Sequence, residues 1–91
     1  MTSVLKLTHW RKEPVNYTGI IEYPSGTLRY YLNGIIHRED GPAIIWNDGT
    51  LFYFINDNDI TKEVNDWIKE NNIPKVWNNS HKLLFKLAFV K

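Results

Sequence analysis

The sequence predicts an α+β fold: an antiparallel β-meander of repeated hairpins, covered by one α-helix in the C-terminal half and completed by a final strand. Three observations predict it. The chain repeats itself at an offset of 23 residues, its repeated segments are β-branched and aromatic runs cut by turn glycines, and the stretch after Asp59 switches to helical periodicity.

The first element is a strand over VLKLTHW, with Leu5 and Leu7 on the inward face and Val4 and Lys6 on the other. Two repeat copies follow, over 18–34 and 41–57. Laid over each other they match Ile21 with Ile44, Tyr23 with Trp46, Gly26 with Gly49, Thr27 with Thr50, Leu28 with Leu51, Tyr30 with Tyr53 and Asn33 with Asn56. Each copy reads strand, tight turn, strand: GIIEY, PSG and TLRYYL, then AIIW, NDG and TLFYFI. Asn33-Gly34 is a further hairpin signal, joining RYYL to IIHR.

Alternation along a strand puts Leu28, Tyr30 and Leu32 on one face with their counterparts Leu51, Tyr53 and Ile55. The other face carries Arg29 and Tyr31 in copy one and Phe52 and Phe54 in copy two. The second hairpin is thus apolar on both sides and needs cover on both. The cover is a helix over 60–72, where Ile60, Val64, Trp67 and Ile68 recur at helical spacing and Lys62, Glu63, Asp66, Lys69 and Glu70 face out. Thr61 or Asp59 caps its start, and Asn71-Asn72 before Pro74 ends it. Over 81–90, Leu83, Phe85, Leu87 and Phe89 alternate with Leu84, Lys86, Ala88 and Val90, which reads as a terminal strand; a short terminal helix is the competing reading.

At 91 residues the chain is expected to form a single domain, 1–91, with a modest core. With 43% hydrophobic and 14% aromatic residues it is globular in composition, and four Trp, five Tyr and four Phe exceed what so small a core hides easily, which points to surface rings and to binding. A net charge of +1 gives no field of the kind that non-specific nucleic-acid binders use. Rings such as Tyr31, Trp46 and Trp77 near Arg29, Arg38 and Lys75 could still stack single-stranded bases, the plain alternative being that they are core. The absence of cysteine removes thiolate nucleophiles, thiolate metal sites and disulfides, and fits a reducing compartment. The opening MTSVLKLTHWRK lacks an apolar core of signal-peptide length and no stretch has the ~18 apolar residues of a membrane span, so a cytoplasmic protein with no membrane partner is expected.

No phosphate-cradling loop, HExxH or nucleophile motif occurs, so neither catalysis nor a cofactor is expected. His9, His37 and His81 lie on separate elements with no second ligand at a recognisable spacing, which argues against a metal. His37 and Glu39 share a side of their strand while Asp40 does not, so they make a poor acid-base set. In the linking string HREDGPA, Asp40-Gly41-Pro42 is turn chemistry and Arg38 can pair with a nearby carboxylate. The string reads either as a solvated polar turn that sets the stacking of the hairpins or as a recognition rim.

The segment YYLNGIIHREDGPAIIWNDGTLFYF resembles the MORN-variant repeats of bacteriophage and giant-virus proteins, closely over Tyr30 to Phe54 and more loosely back to Thr18; DITKEVNDWIKENNIP is similar to the helix that closes such arrays. The resemblance implies a meander of stacked hairpins, a viral accessory origin and no chemistry of its own. Together these readings give a non-enzymatic protein-binding module that modulates or inhibits a host protein, with Tyr31, His37, Arg38, Glu39 and Phe54 as contact residues. A self-assembling homodimer or scaffold is the alternative, ahead of a nucleic-acid binder.

Overall fold

The computed structural model describes residues 3–8 and 12–90 and has an α+β architecture. His9 and Trp10, at the end of the expected N-terminal strand, lie outside the described residues. The first sheet contains β1 (Val4–Lys6), β2 (Gly19–Glu22), β3 (Leu28–Leu32), β4 (Ile35–Ile36), β5 (Ile44–Ile45) and β6 (Leu51–Phe52). A two-stranded ribbon, β7 (Phe54–Ile55) with β8 (Asn58–Asp59), continues from it, and two helices follow, α1 (Thr61–Glu70) and α2 (Asn79–Phe89). Pairing is antiparallel except at β1, which lies parallel to β2 with Leu5 opposite Ile21.

The repeat is visible atom by atom. In copy one the Tyr23 N–H donates to the Thr27 carbonyl and the Gly26 N–H to the Tyr23 carbonyl, both at 2.9 Å; in copy two Trp46 and Thr50, then Gly49 and Trp46, make the same two bonds at the same distance. Gly26 and Gly49 close these turns at φ 93° and 89°, a conformation that costs a residue with a Cβ about 1 kcal/mol or more. Further along, Asn33 and Asn56 sit at φ 49° and 48°. Both residues after them, Gly34 and Asp57, also have positive φ, which is the twist that two-residue hairpin turns require.

β4 and β5 are one strand interrupted. Both run antiparallel to β3, β4 opposite Tyr31 and Leu32 and β5 opposite Leu28 and Arg29. Between them Tyr30 is bonded on both sides: its carbonyl accepts from the His37 N–H at 3.1 Å and its N–H donates to the Ala43 carbonyl at 2.8 Å. Residues 38–42 are therefore looped out of the ladder with β3 opposite Tyr30, while the Arg38 N–H stays on the Phe54 carbonyl at 3.1 Å. Copy two reaches the same point, with the Ile60 N–H on the Tyr53 carbonyl at 2.8 Å, and there the chain starts α1 instead of a loop.

The helix expected over 60–72 is present as α1, with Val64 fully buried and Ile60, Trp67 and Ile68 packed on the core. Asp59 Oδ1 accepts from the Thr61 N–H (3.0 Å) and hydroxyl (2.5 Å), and the Thr61 hydroxyl accepts from the Tyr53 N–H (3.0 Å), so the helix start is tied to the sheet. The end falls at Asn71, and Asn72 takes φ 52°.

The terminal strand over 81–90 is corrected to a helix, α2. Its start is fixed by a reciprocal cap, in which the Asn78 side chain accepts from the His81 N–H (3.0 Å) and His81 Nδ1 accepts from the Asn78 N–H (3.1 Å). Phe85 and Phe89, one turn apart, then enter one core with Tyr53, Ile55, Val64, Trp67 and Trp77. Phe85 is completely buried, with ring centroids 5.1 to 6.1 Å from Phe89, Trp77, Trp67 and Tyr53.

Both helices lie on the Tyr53 and Ile55 side of copy two. The other side of that hairpin, expected to need cover as well, leaves Phe52 and Phe54 half-buried, with Trp46 edge-on to Phe52 at 6.4 Å.

Candidate functional site

The register sorts the strand residues onto two faces. Residues paired across an antiparallel ladder point the same way, so Ile20, Tyr30, Leu32, Ile35, His37, Leu51 and Tyr53 share one face; Ile21, Arg29, Tyr31, Ile36, Ile44, Phe52 and Phe54 share the other. The expected contact residues thus fall into two groups. Arg38 and Glu39 belong to the looped-out segment and His37 stands at its start on the helix side, whereas Tyr31 and Phe54 have their side chains on the opposite face.

Within the loop, each side chain is bound to the scaffold. The His37 side chain is only 6% exposed; its Nδ1 accepts the backbone N–H of Asn56 at 2.8 Å and its Nε2–H donates to Glu39 at 2.9 Å. With one nitrogen taken by an amide and the other by a carboxylate, the imidazole has no free lone pair for proton abstraction. Glu39 also meets Lys86 of α2 at 3.9 Å. Arg38 donates from Nε to Asp40 at 2.7 Å and from a terminal nitrogen to the Pro42 carbonyl at 3.1 Å, and its guanidinium lies 4.0 Å over the Tyr30 ring. The string HREDGPA is a self-satisfied clasp: it fastens one copy to the next and stands up from the sheet as a wall.

On one side of that wall lies a groove of about 670 Å³, floored by Ile20, Tyr30 and Leu32 and rimmed by Ser3, Thr18 and the loop. Leu32 is 37% exposed there. On the other side the helices cover Tyr53 and Ile55, which occupy in copy two the positions of Tyr30 and Leu32.

On the opposite face, Tyr31 joins a polar aromatic cluster. The Tyr31 hydroxyl meets that of Tyr23 at 2.7 Å, Tyr23 donates to Glu13 at 2.6 Å, and Arg29 lies between the rings of Tyr23 and Trp46 at 5.1 and 5.9 Å. Burial, then the bonds to Glu13 and Tyr31, push the Tyr23 phenol well above its ordinary range. Among the described residues Arg29 Nε is buried without a hydrogen-bond partner. Sequence reasoning did not single out the groove floor, although the alternation that groups Tyr30 with Leu32 contains it; of the cluster it named Tyr31, Trp46 and Arg29 but neither Tyr23 nor Glu13.

Among the described residues, no helix is long and apolar enough to cross a membrane. No family model, curated protein or solved structure matches the chain.

Proposed function

We propose that this chain is a non-enzymatic protein-binding module of the MORN-variant kind, a phage accessory protein that binds a host protein in the host cytoplasm and modulates or inhibits it. The observation that carries the reading is the unequal cover of one sheet face. Copy two buries Tyr53 and Ile55 under two helices, whereas copy one leaves the equivalent Tyr30 and Leu32 as the floor of an open groove with a polar rim. An apolar floor ringed by polar groups is how a small domain takes a partner without hiding its whole surface. The doubled hairpin and the HREDGPA clasp support the MORN-variant part of the reading, and the phage origin rests on that resemblance.

The test is affinity capture from bacterial host cytoplasm with the wild-type chain and with Leu32→Glu, which charges the groove floor without touching the core. A stoichiometric partner lost in the variant supports the reading; a partner held equally by both moves binding away from the groove.

Self-association is the second reading, favoured by the outer side of α2, where Leu83, Leu84 and Leu87 are all exposed, Leu87 by 73%. A dimer mass in light scattering that Leu87→Lys reduces to that of one chain selects it.

A further inference from the structure

A second pocket lies behind the wall. It has about 200 Å³ of space, opens between the 38–42 loop and α2, and is floored by Leu51, Tyr53 and Trp77, the last two rings stacked at 6.1 Å. Arg38, Lys75 and Lys82 line it, against one carboxylate, Asp40, which is already bonded to Arg38. Among the described residues neither Lys75 nor Lys82 is within ion-pair distance of a carboxylate. The wider surroundings carry the same sign: residues 71–91 contain four lysines and neither aspartate nor glutamate, so the remainder of the chain holds all ten acidic residues.

We infer that this pocket takes the carboxylate side chain of an acidic segment on a partner protein. The two lysines at the mouth, which make no ion pair among the described residues, supply the attraction and steer the encounter. The Tyr53–Trp77 floor removes water from the ion pair and strengthens it, and also packs an apolar residue beside the acidic one. The exposed Leu83 and Leu84 of α2 extend the apolar surface next to the lysines. The inference rests on the protein-binding reading and adds the chemistry of the partner.

The experiment is an NMR titration of the full chain, following the Trp77 indole and the Lys75 and Lys82 amides. Its probes are an acetylated peptide of alternating glutamate and leucine, the same peptide with lysine for glutamate, inorganic phosphate, and phosphatidylserine-containing vesicles. The expected result is saturable, salt-sensitive shifts at those three residues with the glutamate peptide, about tenfold weaker binding in Lys75→Glu/Lys82→Glu, and recovery in Lys75→Arg/Lys82→Arg. No saturation, equal binding of the lysine peptide, or shifts given only by phosphate or vesicles overturns it. Affinity capture separates the two ideas. A partner that Lys75→Glu/Lys82→Glu still holds overturns this pocket as its docking point and leaves the module reading standing; peptide binding by a chain that captures no partner upholds the pocket and removes the module reading.

Discussion

His37 Nδ1 accepts the backbone N–H of Asn56 at 2.8 Å, and so a side chain of the string that links the two repeat copies supplies the hydrogen bond that the turn of the second needs. In copy one the equivalent N–H, on Asn33, is taken by the Thr18 hydroxyl at 2.9 Å, because the position one repeat before His37 is Pro14. His37→Ala leaves a part-buried amide without its acceptor. The expected loss is about 1–3 kcal/mol in urea unfolding, with faster amide exchange at Asn56. An unchanged Asn56 exchange rate contradicts this role.

Arg38 combines a charge-assisted bond, a bond to the Pro42 carbonyl and a stack on Tyr30. Arg38→Ala is expected to cost about 1–2 kcal/mol, and Arg38→Lys most of that, since an ammonium keeps the charge but not the planar fork. Equal melting temperatures for the lysine variant and the wild type show that the fork is dispensable.

Phe85 anchors both helices to Tyr53 and has no exposed surface. Phe85→Ala is expected to cost about 3–5 kcal/mol, a large share of the ~5–15 kcal/mol that holds a domain of this kind together. Phe85→Leu, which keeps most of the volume, is expected to cost far less. Thermal unfolding followed by circular dichroism ranks the two, and a reversed order excludes Phe85 as the keystone of this core.

Alkaline pH is expected to unfold the chain through Tyr23 and Tyr53. Burial raises both phenols, and at Tyr23 the bonds to Glu13 and Tyr31 add to it. A folded value above the unfolded one means that the stabilisation is complete below the unfolded pKa of about 10 and is lost as pH rises beyond it. Ultraviolet titration is expected to show a phenol fraction that ionises only as circular dichroism reports unfolding, and Tyr23→Phe to reduce that fraction. Complete phenol ionisation while circular dichroism stays native contradicts this.

The parts of the fold legible in the sequence are those with a local cause. Turn glycines, Asn33-Gly34 and the offset of 23 mark the hairpins, and the spacing of Ile60, Val64 and Trp67 marks α1. α2 was misread because its sequence is apolar nearly all round: with leucines at 83, 84 and 87 besides Phe85 and Phe89, a period of two and a period of 3.6 both fit. The informative signal is Asn78 three residues before His81, the spacing of the reciprocal cap that starts α2. The parallel β1–β2 pairing depends on long-range docking of a three-residue strand, which leaves no local trace. The separation of Tyr31 and Phe54 from the HREDGPA residues follows from β3–β4 register, a quantity that one strand read alone does not contain.

The shared departure point at His37 and Ile60 makes array length a free variable. A sheet that either loops back or ends in a helix from the same backbone position can gain or lose whole 23-residue units between its two ends while both ends keep their neighbours. The groove would then be a property of how many units precede the helix. Two copies give one open floor and one covered floor, and each added copy would extend the uncovered surface by one more aromatic step.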